Sequence, residues 1–265
     1  MKTKNILVAS RRKSVLKEVQ AKIEVSVDDL AEQFQVSPLT IRRDLQYWED
    51  KGLVHRFYGG AKIIQHLESK DPTKSNEPYK HAIAKYAAQY VENGDTIFIN
   101  TSSTALLVLK YIRGKRVTVI TNNGKAIFME HDPLVSIVLS GGELRIPKES
   151  MVGDFALTNL HRVTANKCFL GCSGFDIHTG MSTAVLHEVS INEMMINQCK
   201  GEIFLLADST KIGTIHQFII ADASAFQYVI TDNRVNKDIL EEFHEYGLNA
   251  VGLPPFYNYD EKDKS

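Results

Sequence analysis

Two architectures in series are expected from the sequence: a small winged helical head, then a larger α/β domain built on a mainly parallel sheet. Three observations carry this. Residues 25–61, VSVDDLAEQFQVSPLTIRRDLQYWEDKGLVHRFYGGA, combine two helix starts at a tight turn with a Gly-Gly hairpin. Beyond residue 81, short apolar runs without alternation are separated by helical patterns, which suits a parallel sheet covered on both faces. Charge divides as well: residues 1–64 hold 12 Lys or Arg against 8 Asp or Glu, while residues 65–265 hold 19 against 24. The basic end suits nucleic acid. A length of 265 residues with 43% hydrophobic content agrees with two domains and a substantial buried core.

The head is expected over residues 8–63. A first helix over 5–22 would supply Ile6, Val15, Leu16 and Val19 to its core, with residues 1–9 open to a second reading as a frayed basic arm. Ser26 followed by Asp29 makes a Ser-x-x-acid start for a helix running from Val27 to about Gln35. Ser37, Pro38 and Thr40 mark a second start, and Ile41, Leu45 and Trp48 then form a buried stripe on a helix that reaches about Lys51. Leu39, Thr40, Arg43, Gln46 and Tyr47 are placed away from that stripe, with Arg42 on its flank. Gly52 ends the helix, and residues 53–64 fold back at Gly59 and Gly60 as a two-stranded wing on which Arg56 and Tyr58 are near phosphate. An isolated arginine pair is ordinarily solvated surface charge. A pair that follows a capped turn and precedes a wing matches the helix-turn-helix plan, here over 25–44, in which arginine donates in bidentate fashion to guanine O6 and N7.

Residues 64–80 are polar, hold two prolines and read as a linker, and 81–253 read as the second domain. Helices are expected at 82–91, 105–112, 189–198 and 237–246, and strands at 96–99, 117–120, 135–139, 168–170, 203–207 and 229–231. The strand ends are the informative part. They run into Asn100 to Thr104, into Thr121 to Gly124, into Ser140 to Glu143, into Gly171 to Gly174, and into Asp208 to Gly213. In open parallel sheets the carboxyl ends of the strands line the ligand crevice, and hydroxyls, amides and glycines there offer N–H donors to an anion. Lys211 would add a full charge, so a small phosphorylated polyol fits. Any one such loop is equally ordinary turn chemistry; five in register favour a pocket. No GxxxxGKS, GxxxxGKT or GxGxxG follows the first strand, so nucleotide hydrolysis and hydride transfer lack their signatures. Cys168, Cys172 and Cys199 make neither a disulfide framework nor a zinc pattern and are expected as buried free thiols. No metal or cofactor is expected. No apolar run is long enough for a signal or membrane span, which points to the cytoplasm.

VSPLTIRRDLQYWEDKGLVHRFYGGA resembles the winged helix-turn-helix of the DeoR family of bacterial transcriptional regulators, with Tyr58 in place of the usual histidine before Gly-Gly. GDTIFINTSSTA, VTVITNN, VLSGGE, SMVGDFA, NKCFLGCSGFD, HEVSINEMMI and LLADSTKIG resemble successive blocks of that family's effector domain, whose fold is related to ribose-5-phosphate isomerase and CoA transferases. The resemblance implies a sensor for a sugar phosphate or related metabolite, a repressor of a sugar catabolism operon, and a homodimer or homotetramer on double-stranded operator DNA. The DNA-reading set is Ser37, Thr40, Arg42, Arg43, Gln46, Tyr47, Arg56, Gly59 and Gly60. The effector set carried over is Thr101, Ser102, Ser103, Thr104, Asn122, Gly141, Gly142, Glu188 and Lys211. Asn100 and Asn192 stand where the family often has Asp and Lys, and an amide does not titrate as an acid or base near neutral pH. This argues against the alternative reading, a sugar-phosphate isomerase or acyl transferase fused to a DNA-binding head, in which Asp208, Glu188 and Lys211 would exchange protons. A third reading is an architectural DNA binder whose second domain only oligomerises. The tail, 254–265, carries no assigned role.

Overall fold

The computed structural model describes residues 2–22, 24–49, 53–57, 59–63, 76–146 and 148–257. Lys51, Gly52, Tyr58, residues 64–75 of the expected linker, most of the tail and the side chain of Ile6 lie outside the described set. The chain divides into two compact units, Met1–Ser75 and Asn76–Ser265. No described helix is long and apolar enough to cross a membrane.

The first unit comprises α1 (Lys2–Lys22), β1 (Glu24–Ser26), α2 (Val27–Gln33), α3 (Pro38–Glu49), β2 (Val54–Phe57) and β3 (Gly60–Ile63). The Ser26 hydroxyl starts α2 by accepting the N–H groups of Asp28 and Asp29 at 3.1 and 3.4 Å. The helix stops at Gln33, two residues sooner than expected, because Gln35 turns into the left-handed region at φ 51°. Gln35 N–H then donates to the Glu32 carbonyl and Val36 N–H to Ala31, which closes a Schellman cap. The expected two-stranded wing is a three-stranded antiparallel sheet in the order β1-β3-β2, since buried Val25 brings β1 onto the wing opposite Ala61. Val15, Val19, Leu30, Ile41, Leu45 and Val54 form the core. Each large aliphatic among them contributes about 2 kcal/mol by leaving water.

The second unit opens with α4 (Glu77–Ala87). Residues 77–80, expected as linker, are its first turn: Pro78 lacks an N–H that would be unpaired there anyway, so proline starts this helix rather than interrupting it. Then come β4 (Thr96–Ile99), α5 (Ser103–Leu106), α6 (Val108–Tyr111), β5 (Val117–Thr121), β6 (Val135–Leu139), β7 (Glu143–Arg145), β8 (Ser150–Val152), α7 (Asp154–His161) and β9 (Ala165–Leu170). The chain continues through β10 (Gly174–Asp176), β11 (Gly180–Thr183), α8 (Leu186–Gln198), β12 (Cys199–Leu206), β13 (Phe218–Ala221), β14 (Tyr228–Asp232), α9 (Lys237–Glu245) and β15 (Asn249–Leu253).

Seven strands form one parallel sheet in the order β15-β14-β12-β9-β4-β5-β6. The uninterrupted apolar runs conceal a period of two. Ile97, Ile99, Phe169, Phe204 and Leu206 enter one core with α4, α5 and α6, whereas Phe98, Cys168, Leu170, Ile203 and Leu205 enter the other with α7 and α8. From β4 the chain winds outward through β5 and β6, then crosses back and winds the other way from β9. The topological switch therefore lies between β4 and β9.

Candidate nucleic-acid interface and ligand rim

In the head, the Ser37 hydroxyl accepts the Thr40 N–H at 3.3 Å and lies 3.0 Å from the Thr40 hydroxyl, so both expected DNA groups also cap α3. Leu39, Arg42 and Arg43 are exposed on this helix. Between the arginines and the core sits Asp44, almost fully buried. Its carboxylate accepts Arg11 Nε at 2.7 Å and Arg12 Nε at 3.0 Å from α1. With Asp44 satisfied from behind, no carboxylate among the described residues pairs with Arg42 or Arg43.

Other members of the expected set are differently placed. Tyr47 does not point away from the core: it packs edge-on to Trp48 at 4.9 Å with the Arg12 guanidinium 4.2 Å over its ring, because the stripe widens to take α1. Gln46 is half-buried and donates to Glu49 at 3.5 Å. Arg56 is held by the same Glu49, through Nε at 2.8 Å and its own backbone N–H at 2.9 Å, so its guanidinium ties the wing to α3. Gly59 is exposed with φ +88°, the conformation the hairpin tip needs. Gly60 is buried; any Cβ there would strike the Phe57 ring and the Val25 carbonyl.

In the second unit the polar ends of β4 and β9 meet at the switch point. Asn100 ends β4 and spans it: its Nδ2 donates to the Gly171 carbonyl after β9 and to Asn192 Oδ1 on α8, each at 2.8 Å, while its Oδ1 accepts the N–H of Gly171 and of Ser102. Asn192 donates in turn to the Glu188 carbonyl at 2.7 Å. The two departures from the family pattern thus form one neutral hydrogen-bonded pair. Gly171 is closed to any side chain, since a Cβ would collide with Ser102. Thr101 and Ser102 are half-buried, Ser103 is exposed and Thr104 is buried. Ser102 caps α5 through the Ala105 N–H.

Asn122, after β5, is buried; its Nδ2 donates to the Met151 carbonyl and its Oδ1 has no protein partner. A buried amide oxygen left unpaired is costly and points to a donor that the chain itself does not provide. Gly141 and Gly142 both take positive φ, and Gly142 lies too close to the Val152 carbonyl for any side chain. Asp208 Oδ1 accepts the Thr210 N–H, and Lys211 stands half-buried in the same turn. Glu188 is buried and doubly engaged, by Thr183 Oγ1 at 2.8 Å and Lys148 Nζ at 2.7 Å.

Lys148 is the group that sequence reasoning missed. It sits between β7 and β8, strands which the sequence does not announce, and no local pattern marks it. Of the three cysteines, all free, only Cys168 is fully buried; Cys172 and Cys199 are half-buried. Burial pushes the Cys172 thiol up to about 12, so it is no thiolate nucleophile at neutral pH. The described residues include no cluster of His, Cys, Asp and Glu able to hold a metal ion. A shallow cleft of about 340 Å³ lies in the head, between Lys22, Asp29 and Phe57.

Residues 11–66 match the model of the DeoR-like helix-turn-helix domain and residues 75–233 that of the DeoR C terminal sensor domain. The HTH-type transcriptional regulator YulB of Bacillus subtilis is 32% identical over 254 residues, covering 94% of this chain and 98% of its own length. The lactose phosphotransferase system repressor of Lactococcus lactis is 31% identical over 234 residues, covering 84% and 90%. Among solved structures, ribose 5-phosphate isomerase A of Methanocaldococcus jannaschii aligns with TM-score 0.38 and 19% identity over 52% of this chain and 55% of that one. With both family models placed on the chain in order and full-length relatives named as regulators rather than enzymes, the chain belongs to the DeoR family of DNA-binding transcriptional regulators.

Proposed function

We propose that this regulator is a repressor of a sugar catabolism operon, acting in the cytoplasm, whose head reads duplex operator DNA and whose loop rim binds a phosphorylated sugar. Arg42 and Arg43 provide the reading surface, being exposed side by side on α3 while Asp44 is neutralised from α1. Ser37 and Thr40 supply hydroxyls for phosphate or base at the start of the same helix, Gln46 lies one turn further on, and the wing approaches the backbone at Gly59. Arg56 and Tyr47 act by holding the helix in place. In the rim, Thr101, Ser102, Ser103, Gly141 and Gly142 offer hydroxyls and backbone N–H groups to an anion. The unpaired Asn122 oxygen accepts a sugar hydroxyl, and Lys211 with Lys148 provides cationic charge. Glu188 and Thr104, both buried, support these groups from behind. The relative that represses a lactose phosphotransferase system supports a sugar-linked operon.

The observation that carries this reading is the buried, unsatisfied Asn122 oxygen at the carboxyl end of β5, one strand from the switch point where Asn100 joins the ends of β4 and β9. Two heads related by two-fold symmetry would address half-sites about 34 Å apart or at multiples of that spacing, which requires an even-numbered homo-oligomer. Two measurements test the proposal. Arg43→Ala lowers specific operator affinity by about 1 to 3 kcal/mol in a band-shift titration, and unchanged binding removes Arg43 from the reading set. In a thermal-shift screen of sugar phosphates, a ligand at 100 times its dissociation constant stabilises by about 2.7 kcal/mol, and Lys211→Ala weakens the response. A panel with no response favours a purely oligomerising second domain; turnover of ribose 5-phosphate that is lost in Asp208→Asn favours the enzyme.

A further inference from the structure

We propose that Arg234 is a positioning residue that couples the rim turn carrying Lys211 to the point where the chain from the head enters the sensor. This rests on the ligand rim proposed above and assigns the residues through which that rim acts. Asn76 is the first residue of the second unit, so the start of α4 is where the connection from the head arrives.

Three segments meet on one buried carboxylate. Asp232, at the carboxyl end of β14, is fully buried, and its Oδ2 accepts the Ser209 N–H at 2.7 Å from the turn Ser209–Lys211 that follows β12. Arg234 grips both oxygens of the same carboxylate, Nε to Oδ1 at 2.7 Å and Nη2 to Oδ2 at 2.9 Å. The other arm of the guanidinium, Nη1, donates to Asn76 Oδ1 at 3.0 Å, and the group lies 3.8 Å over the ring of Tyr79 in the first turn of α4. A planar guanidinium fixed by two bonds at one end has little freedom at the other. A movement of the turn that displaces Asp232 therefore displaces the hold on Asn76.

Asn76 supplies the second state that a coupling needs. Asparagine is among the strongest N-cap residues, ordinarily with an extended backbone and its side-chain oxygen on a helix N–H. Here it precedes α4 in a helical conformation, φ −81° and ψ −5°, and its side chain caps nothing, the oxygen being given to Arg234. Released by Arg234, it has the ordinary N-cap arrangement to adopt, with its oxygen on the Tyr79 N–H and ψ turned to the extended region. That turn redirects the chain entering α4. A ligand that binds the Lys211 turn better in one arrangement than in the other shifts the population between them.

Ser209 and Asn76, joined through Asp232 and Arg234, test the relay from its two ends. Ser209→Pro deletes the N–H given to Asp232, and Asp208, at φ −70° and ψ 160°, already has the backbone that a following proline requires. In the wild type the Tyr79 and Lys80 amides bond to the Asn76 carbonyl. Hydrogen exchange of the full chain is expected to show both amides exchanging about fivefold faster in Ser209→Pro, the effect of one weakened hydrogen bond. In the Asn76→Ala background the same substitution leaves their exchange unchanged. Arg234→Lys keeps a charge beside Asp232 but loses the second arm, so it also frees Asn76. Ser209→Pro and Arg234→Lys are expected to change operator affinity in the same direction, by about fivefold, and neither does so in Asn76→Ala. Exchange that rises equally in both backgrounds, or operator affinity untouched by Ser209→Pro, overturns the proposal. A wild type that binds no operator overturns the DNA reading instead, and the exchange measurement, which needs neither DNA nor ligand, still decides the relay.

Discussion

Asp44 shows how one buried residue decides what its neighbours can do. Its carboxylate is clasped by Arg11 and Arg12, and Trp48 Nε1 donates to the Arg12 carbonyl at 2.8 Å, so α1 and α3 are joined by polar bonds across an otherwise apolar contact. Removing Asp44 leaves two half-buried guanidinium groups without their carboxylate. Asp44→Ala is therefore expected to cost the head about 3 kcal/mol in denaturant unfolding. A cost below about 0.5 kcal/mol, the range of an ordinary surface change, would show the cluster to be incidental. Asp232 supplies a pH test. Burial alone would raise its carboxyl, but hydrogen bonds from the Arg234 side chain and from the N–H groups of Ser209 and Arg234 outweigh burial and hold it below the ordinary value. A depressed carboxyl stabilises the fold above its unfolded pKa, about 3.9, and the gain disappears as pH falls through the lower folded value. Asp232→Asn should accordingly lower the melting temperature at pH 7 and lose that deficit in strong acid. An equal deficit at both pH values would assign the effect to packing.

At the scale of elements, the head follows its local signals closely. Capping hydroxyls, Pro38 and the apolar stripe mark α2 and α3 to within a few residues, because these are short-range effects of side chains on their own backbone. The turn between them holds a strained residue: Gln35 occupies the left-handed position of a Schellman cap, where a residue with a Cβ is disfavoured by about 1 to 2 kcal/mol. Gln35→Gly is expected to raise the stability of the head by about 1 kcal/mol, net of the greater chain entropy of glycine, with operator affinity unchanged. A fall in melting temperature would mean that the glutamine side chain does more than fill the turn. The sensor's secondary elements were less legible. β7, β8, β10, β11 and α7 are short, and their stretches are rich in residues that serve strands and turns alike; pairing partners distant in the chain decide them. Lys148 escaped notice with the hairpin that carries it. Asn100 and Asn192 were legible only as separate departures, 92 residues apart, until the sheet brought their amides within 2.8 Å.

For the whole molecule, the proposed sensing and reading must be linked reciprocally. If an effector changes operator affinity by some factor, operator DNA changes effector affinity by the same factor, because the coupling is a free energy between sites. Calorimetric titration of the thermal-shift hit with and without operator should return the factor measured in the band shift; unequal factors would mean that the two assays follow different species. The sequence by itself determined the family, the order of head and sensor, the helices of the helix-turn-helix and the polar strand ends, since each is encoded by residues only a few positions apart. Tertiary structure alone decided that β4 and β9 are neighbours, that Asn100 bridges them to Asn192, that Lys148 meets Glu188, and that β6 is left bare at the edge. Those facts depend on strand order and on contacts between distant segments, and a hydrogen bond or a burial pattern of that kind exists only once the chain has closed on itself.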